Sequence, residues 1–126
     1  KLVCFFSPTC EHCKETGKEI VRLKKQFPGL IPEINIVFMD ESYPVDGSPI
    51  LIKEFFEFIG QEFTHVAIEP GAFWNLFESD VKGMEVPGVF YLQEGIHKAR
   101  FAGSAEYQAK NPFSAAGLLE IIKKEN

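Results

Sequence analysis

Cysteine is scarce in this sequence, with three in 126 residues. That is too few for the disulfide framework that holds small secreted domains together. Long apolar runs are missing too, since none approaches the roughly 18 residues of a membrane-spanning helix. Positive charge is in deficit, with 13 basic against 18 acidic side chains and a net charge of −5. No basic run or basic–aromatic interleaving offsets that balance, which disfavours nucleic acid or an anionic membrane surface as the main partner. Internal repeats and low-complexity segments are absent, and no signal peptide is visible. The first residue is Lys1 and not Met, already inside a strand-like run. A trimmed or processed piece is therefore expected, for which a missing targeting segment says nothing. On composition alone the compartment stays open.

What is present suits one soluble domain covering residues 1–126. Apolar residues make up 45% and charged ones 25%, ordinary proportions for a globular protein. The length allows a core that needs no disulfide staple. Thirteen phenylalanines predict that this core is rich in aromatic rings.

Lys1 to Phe6 is a continuous apolar run of strand length, as for a central strand buried on both faces. Cys13, Ile20, Val21 and Phe27 fit one face of a helix from Cys10 to about Phe27. Glu11 lies in its first turn and Lys24 and Lys25 in its last, as the helix dipole prefers. Gly17 on that face predicts a close approach, and Pro28-Gly29 ends the helix. Ile34 to Met39 reads as a second buried strand. The turn-rich stretch Asp40 to Pro49 reads as a polar loop, most simply a solvated connection, or else one that flanks the site and selects substrates. A helix opened by Ser48-Pro49 runs to Ile59 and stops at Gly60. Thr64 to Ile68 is a third strand, followed by a short helix from Ala72 to Glu78. Phe73, Trp74 and Phe77 on that helix are expected in the core.

Gly88 to Leu92, the turn Gln93-Glu94-Gly95, and His97 to Ala102 read as a hairpin. Gly103 to Asn111 is a loop. Pro112 opens a last helix, on which Phe113, Ala116, Leu119 and Ile122 recur at helical spacing. Parallel strands need crossover helices and a hairpin does not. The expected fold is therefore α/β, a three-layer α/β/α sandwich around a five-stranded mixed sheet. Its predicted strand order is 64–68, 34–39, 2–6, 88–92, 97–102, with helices on both faces.

The chemistry concentrates in Ser7-Pro8-Thr9-Cys10-Glu11-His12-Cys13-Lys14, at the junction of the first strand and the first helix. Residues i and i+3 share a helix face with Cβ atoms about 5–6 Å apart, whereas a disulfide needs about 3.8 Å. The gap closes if Cys10 is the non-helical cap and only Cys13 is fully helical. The unpaired N–H groups and partial positive charge of the helix start then favour thiolate at Cys10. Such a thiol titrates between about 3.5 and 7.5, against about 8.5 when free.

That element order, with Cys-X-X-Cys after the first strand and Val86-Pro87 leading into the hairpin, resembles the thioredoxin superfamily. The helix and strand inserted after the second strand make it most similar to the bacterial TlpA/ResA-type thiol-disulfide oxidoreductases. The resemblance spans nearly the whole chain but lacks the N-terminal hairpin those proteins usually carry. It implies a single thioredoxin-like domain, with Cys10 as attacking thiol and Cys13 as buried resolving thiol. It also implies that Pro87 is cis beside the pair. A cis X-Pro bond turns the chain sharply and leaves the Val86 backbone free to pair with an extended substrate. The plain alternative is a trans proline in a loop.

Three positions depart from the family pattern. Thioredoxins bury an Asp six residues before the first Cys to help deprotonate the second thiol, and Cys4 stands there. The relay must then run through water or another carboxylate, or be weak. Thr9 replaces the Trp that precedes the first Cys in thioredoxins. Thr16, with Glu15 beside it, stands where some ResA-like members have Glu.

Cys4 is expected to be a small buried hydrophobe, the rival role being a third redox thiol. His12 and Glu11 are read as redox-tuning residues. An imidazolium at His12 favours the thiolate and so a more oxidising pair, whereas Glu11 repels it. The expected potential lies between about −270 and −120 mV. The plain reading of His12 is a solvated helix residue. His65 and His97 are expected to be structural. No metal site is expected, because the second ligand pair of a zinc module is missing and copper carriers of the Sco type space their cysteines more widely. The peroxiredoxin motif Pro-X-X-X-Thr-X-X-Cys is not present.

The function expected is disulfide exchange with protein thiols and disulfides through Cys10-Glu11-His12-Cys13, with Val86 and Pro87 binding substrate. It needs no cofactor beyond the Cys10–Cys13 couple. The expected partners are protein substrates and an upstream redox donor or acceptor, with no nucleic acid and a monomeric chain. The resemblance implies a place outside the cytoplasm, tethered by a segment outside this one, while the residues themselves leave the cytoplasm open. The rival readings are a non-catalytic thioredoxin-like binding module and a copper or zinc metallochaperone.

Overall fold

Alternation along the first strand organises the molecule. In β1 (Leu2–Phe6) the side chains of Leu2, Cys4 and Phe6 are fully buried while Val3 and Phe5 are half-buried. The period-two pleat sends these two sets to opposite faces of a sheet. The computed structural model describes residues 1–40, 48–75, 85–103 and 114–125. Among these, β1 is followed by α1 (Glu11–Gln26), β2 (Ile34–Met39), α2 (Ser48–Ile59), β3 (Thr64–Ile68) and α3 (Pro70–Asn75). The hairpin β4 (Glu85–Gln93) and β5 (Ile96–Gly103) and the helix α4 (Ala115–Glu125) complete the order.

The sheet runs β3-β2-β1-β4-β5, in the predicted order. β1 pairs parallel with β2 and β2 parallel with β3, whereas β4 is antiparallel to both β1 and β5. Crossover helices join the parallel strands, as their geometry demands. The hairpin instead turns in two residues, Glu94 and Gly95, both at positive φ (53° and 78°), the conformation whose twist matches paired strands.

The face carrying Leu2, Cys4 and Phe6 continues into Ile36 and Phe38 of β2 and Val89 and Tyr91 of β4. α1, α2 and α4 cover it with Ile20, Val21 and Leu23, with Ile52, Phe55, Phe56 and Ile59, and with Leu118 and Ile122. The aromatic core is real: Phe55 meets Phe38 edge-on at 5.1 Å between ring centroids and Phe6 at 5.5 Å. Gly17 is where α1 meets α2, since a Cβ there would lie 2.9 Å from Ile59 Cγ2. On the other face a smaller cluster gathers around fully buried Phe73 of α3, with Phe5, Val37, Met39, Ile68, Val86 and Phe90. Helices therefore lie on both faces, and the fold is thioredoxin-like α/β.

Several predicted boundaries differ. β4 begins at Glu85 and not Gly88, so Pro87 lies inside a strand, where the pairing with β5 shifts register between Glu85 and Val89. β5 is likewise longer than 97–102. α3 begins at Pro70, two residues before the expected Ala72, because the Glu69 carboxylate caps it. Its oxygens accept from the N–H groups of Gly71 (3.1 Å) and Ala72 (2.6 Å). Ser114 caps the last helix, its Oγ accepting from Gly117 N–H at 3.0 Å. That moves the buried stripe to Leu118 and Ile122 and leaves Ala116 exposed. Residues 41–47 of the predicted polar loop, the loop 104–111, Phe77, Glu78, Pro112 and Phe113 lie outside the described residues, as do the side chains of Trp74 and His97.

Candidate functional site

β1 ends at Phe6, and the turn Ser7-Pro8-Thr9 hands the chain to α1. Cys10 N–H donates to the Ser7 carbonyl at 3.2 Å, and Lys14 N–H donates to the Cys10 carbonyl at 3.0 Å. Cys10 is thus the N-cap, with extended backbone (φ −75°, ψ 122°), and Cys13 lies in the first helical turn. A cap side chain normally supplies an oxygen to an orphan N–H. Here the acceptor is sulfur, and Cys13 N–H points at Cys10 Sγ across 3.3 Å. Cys10 is half-buried and Cys13 fully buried. One thiol therefore meets solvent and the other waits beneath it. No disulfide joins the cysteines in this structure.

This environment lowers the Cys10 pKa from 9.0 to about 6. A hydrogen bond from the Cys13 side chain contributes most, partial burial opposes it, and the N–H groups of Cys13 and His12 and the charge of His12 add to the lowering. The N–H groups of the helix start thus favour thiolate at Cys10, as the sequence predicts. His12 acts mainly through its backbone and only last through its charge. Its ring is 83% exposed and stands 3.7 Å from the Glu15 carboxylate. Glu11, expected to oppose the thiolate, is not among the influences on Cys10. Its carboxylate lies 3.6 Å from the Lys14 ammonium. Both pairs are spaced i,i+3, the separation that brings side chains together on a helix surface.

Cys4 lies in the same core cluster as Cys13, paired with Ile36 on one side and Val89 on the other. Burial pushes its thiol up to about 12, so it stays protonated and inert, as a small hydrophobe should. Thr16 is buried one turn after Cys13. His65 is structural: its Nδ1–H donates to the Phe63 carbonyl at 2.8 Å, and its ring lies 4.9 Å from that of Phe56. Among the described residues no group of three or more His, Cys, Asp or Glu side chains is arranged to hold a metal ion.

The peptide between Val86 and Pro87 is cis. The β1–β4 register places Gly88 opposite Phe5. Continuing it sets Pro87 level with Phe6, at the end of β1 from which the chain turns into Cys10. Val86 packs, like Cys10, against the main core cluster and also reaches the cluster around Phe73. The sheet thus brings together two segments more than seventy positions apart. The arrangement offers a buried thiol beneath a half-exposed, activated one, with the register of β4 setting the cis proline toward the same end of the sheet.

No protein-family model matches the chain. It is 40% identical over 124 residues to protein TlpB of Flavobacterium psychrophilum, a match that takes in 98% of this chain and 30% of that protein's length. The chain thus spans about a third of that curated relative. Among solved structures it is similar to a secreted Mycobacterium tuberculosis disulfide oxidoreductase homologous to Escherichia coli DsbE (TM-score 0.67, 10% identity, 98% of this chain and 79% of that one). A thioredoxin-family thiol:disulfide interchange protein of Chlorobium tepidum aligns with TM-score 0.68 at 17% identity, covering 98% and 77%. StoA of Bacillus subtilis aligns with TM-score 0.63 at 16% identity, covering 95% and 79%. The fold of this chain is that of the thioredoxin superfamily.

Proposed function

We propose that the chain is a thiol-disulfide oxidoreductase that exchanges disulfides with protein substrates through Cys10 and Cys13. The observation that carries this reading is the half-buried Cys10 sulfur at the α1 cap, accepting from Cys13 N–H, with its pKa lowered to about 6. Cys10 thiolate attacks one sulfur of a substrate disulfide, forms a mixed disulfide and expels the other substrate sulfur as thiolate. Cys13 then loses its proton and attacks Cys10. The Cys10–Cys13 disulfide forms, and the substrate leaves carrying two electrons as a dithiol. A dithiol donor must restore the pair, and run in reverse the same steps oxidise a substrate. Sulfur does all the chemistry, so no cofactor takes part.

Val86 and Pro87 form the docking margin, where an extended substrate pairs with the Val86 backbone. His12 tunes the couple through its backbone N–H and its charge, and Glu11, next to Cys10 in the chain, tunes it in the opposite sense. The chain works as a monomer outside the cytoplasm. The secreted mycobacterial neighbour supports that location. The experiment is insulin reduction in dithiothreitol, together with a Cys13→Ser variant. Turnover is expected for the wild type, and the variant should accumulate a mixed disulfide on Cys10, seen as added mass that dithiothreitol removes. Absence of thiol-dependent turnover would instead mark a binding module, and normal turnover by Cys13→Ser would reverse the assigned roles.

A further inference from the structure

Among the described residues β3 is one margin of the sheet and β5 is the other, and the two are built differently. β5 carries Lys98 and Arg100, and its register on β4 is broken. Charge and irregularity of this kind discourage a further strand from pairing. β3, Thr64-His65-Val66-Ala67-Ile68, has no lysine, carboxylate or proline and keeps an unbroken register on β2. Thr64, Val66 and Ala67 are exposed, Val66 by 54%.

The Ile68 carbonyl accepts from Asp40 N–H at 2.8 Å, so Ile68 turns its backbone toward β2. Backbone groups alternate sides along a strand. His65 and Ala67 therefore present their N–H and C=O groups outward, away from β2. Both residues also line a cleft of about 910 Å³ between β3, α2 and the turn that joins them. Ile52 and Phe56 give the cleft apolar wall, and its charged lining groups are Asp40, Glu57 and Glu62 against Lys53. None of the residues lining it belongs to the cysteine motif or to Val86–Pro87.

We propose that β3 takes up an extended, basic segment of a partner protein as an added strand. The segment pairs with the outward groups of His65 and Ala67, sets apolar side chains against Phe56 and sets cationic ones against the carboxylates. A second copy of this chain fits poorly, because pairing β3 with β3 would bring two acidic linings together. Lys53, Glu57 and Glu62 are exposed and Asp40 half-buried, so the preference is modest and weakens with salt.

The test is titration of the chain with a short peptide alternating lysine and valine, and with its glutamate–valine counterpart. Amide resonances report the contact, and fluorescence anisotropy of the labelled peptide reports affinity. The basic peptide should shift the His65 and Ala67 amides and bind about tenfold tighter than the acidic one at low salt. A Glu57→Lys, Glu62→Lys double variant should reverse that preference. Ala67→Pro should abolish binding of either peptide with an unchanged thermal melt, since its N–H faces away from β2 and edge strands tolerate proline. If Ala67→Pro does not fold, the charge-reversed variant still decides. Equal affinity for the two peptides, shifts located elsewhere, no shifts at all, or self-association that protects the His65 and Ala67 amides would each overturn the proposal.

Discussion

Removing the Cys13 side chain should disturb Cys10 more than removing the His12 ring, whose charge is the smallest of the influences on it. The Cys10 pKa of about 6 leaves roughly nine-tenths of the sulfur as thiolate at pH 7, against about one-hundredth for a group at 9.0. Available nucleophile thus rises about ninetyfold. Intrinsic nucleophilicity falls as the thiol acidifies, with a Brønsted slope of about 0.4–0.5, which gives back a factor of roughly 16–32 over this shift. The net gain in attack rate at pH 7 is therefore only about three- to sixfold. A larger consequence is that Cys10 becomes a better leaving group, which stabilises the reduced pair. The assay is thiolate ultraviolet absorbance against pH, paired with the pH dependence of alkylation by iodoacetamide. Wild type should titrate near pH 6. Cys13→Ala loses the strongest lowering influence but keeps the backbone N–H, so its midpoint should rise yet stay below that of a free thiol. His12→Ala should raise it less. A wild-type midpoint at or above about 8.5, or a greater rise in His12→Ala than in Cys13→Ala, would refute this account of the site.

The reduced protein should gain stability as pH rises from about 6 to 9, because the folded Cys10 pKa lies below the unfolded value. That contribution is fully present above the unfolded value and lost as pH falls through the folded one, and thermal melts of wild type minus Cys10→Ser measure it. Alkylation under native conditions should modify Cys10 quickly and reach Cys4 and Cys13 only on opening of the fold, since both are fully buried. Peptide mass mapping decides this, and fast labelling of Cys4 would contradict its assignment to the core. Phe55→Ala removes a fully buried ring packed on Phe6 and Phe38. It should cost about 3–5 kcal/mol in urea unfolding, and a loss under about 1 kcal/mol would mean the α2 face is not the core.

Local chemistry was legible in the residues themselves. The apolar runs from Leu2 and from Ile34, the breaks at Pro28-Gly29 and Gly60, and the turn at Glu94-Gly95 follow from backbone preferences that act within a few positions. Cys-X-X-Cys after a strand specified the thiol pair in the same way, because the cap and first turn of a helix lie within four residues. Composition also foretold the aromatic core, and Gly17 announced the close contact that Ile59 supplies.

Only tertiary structure decided matters that depend on partners distant in the chain or on side-chain direction. Register between β1 and β4 carries Val86-Pro87 to the Cys10 end of the sheet, and no short-range pattern encodes a register. The ranking of influences on Cys10 hangs on which way a few groups point. Lys14 turns to Glu11, and His12 turns outward to Glu15. That β3 is a sheet margin among the described residues is likewise a tertiary fact, since a strand's own residues do not reveal whether another will pair beside it.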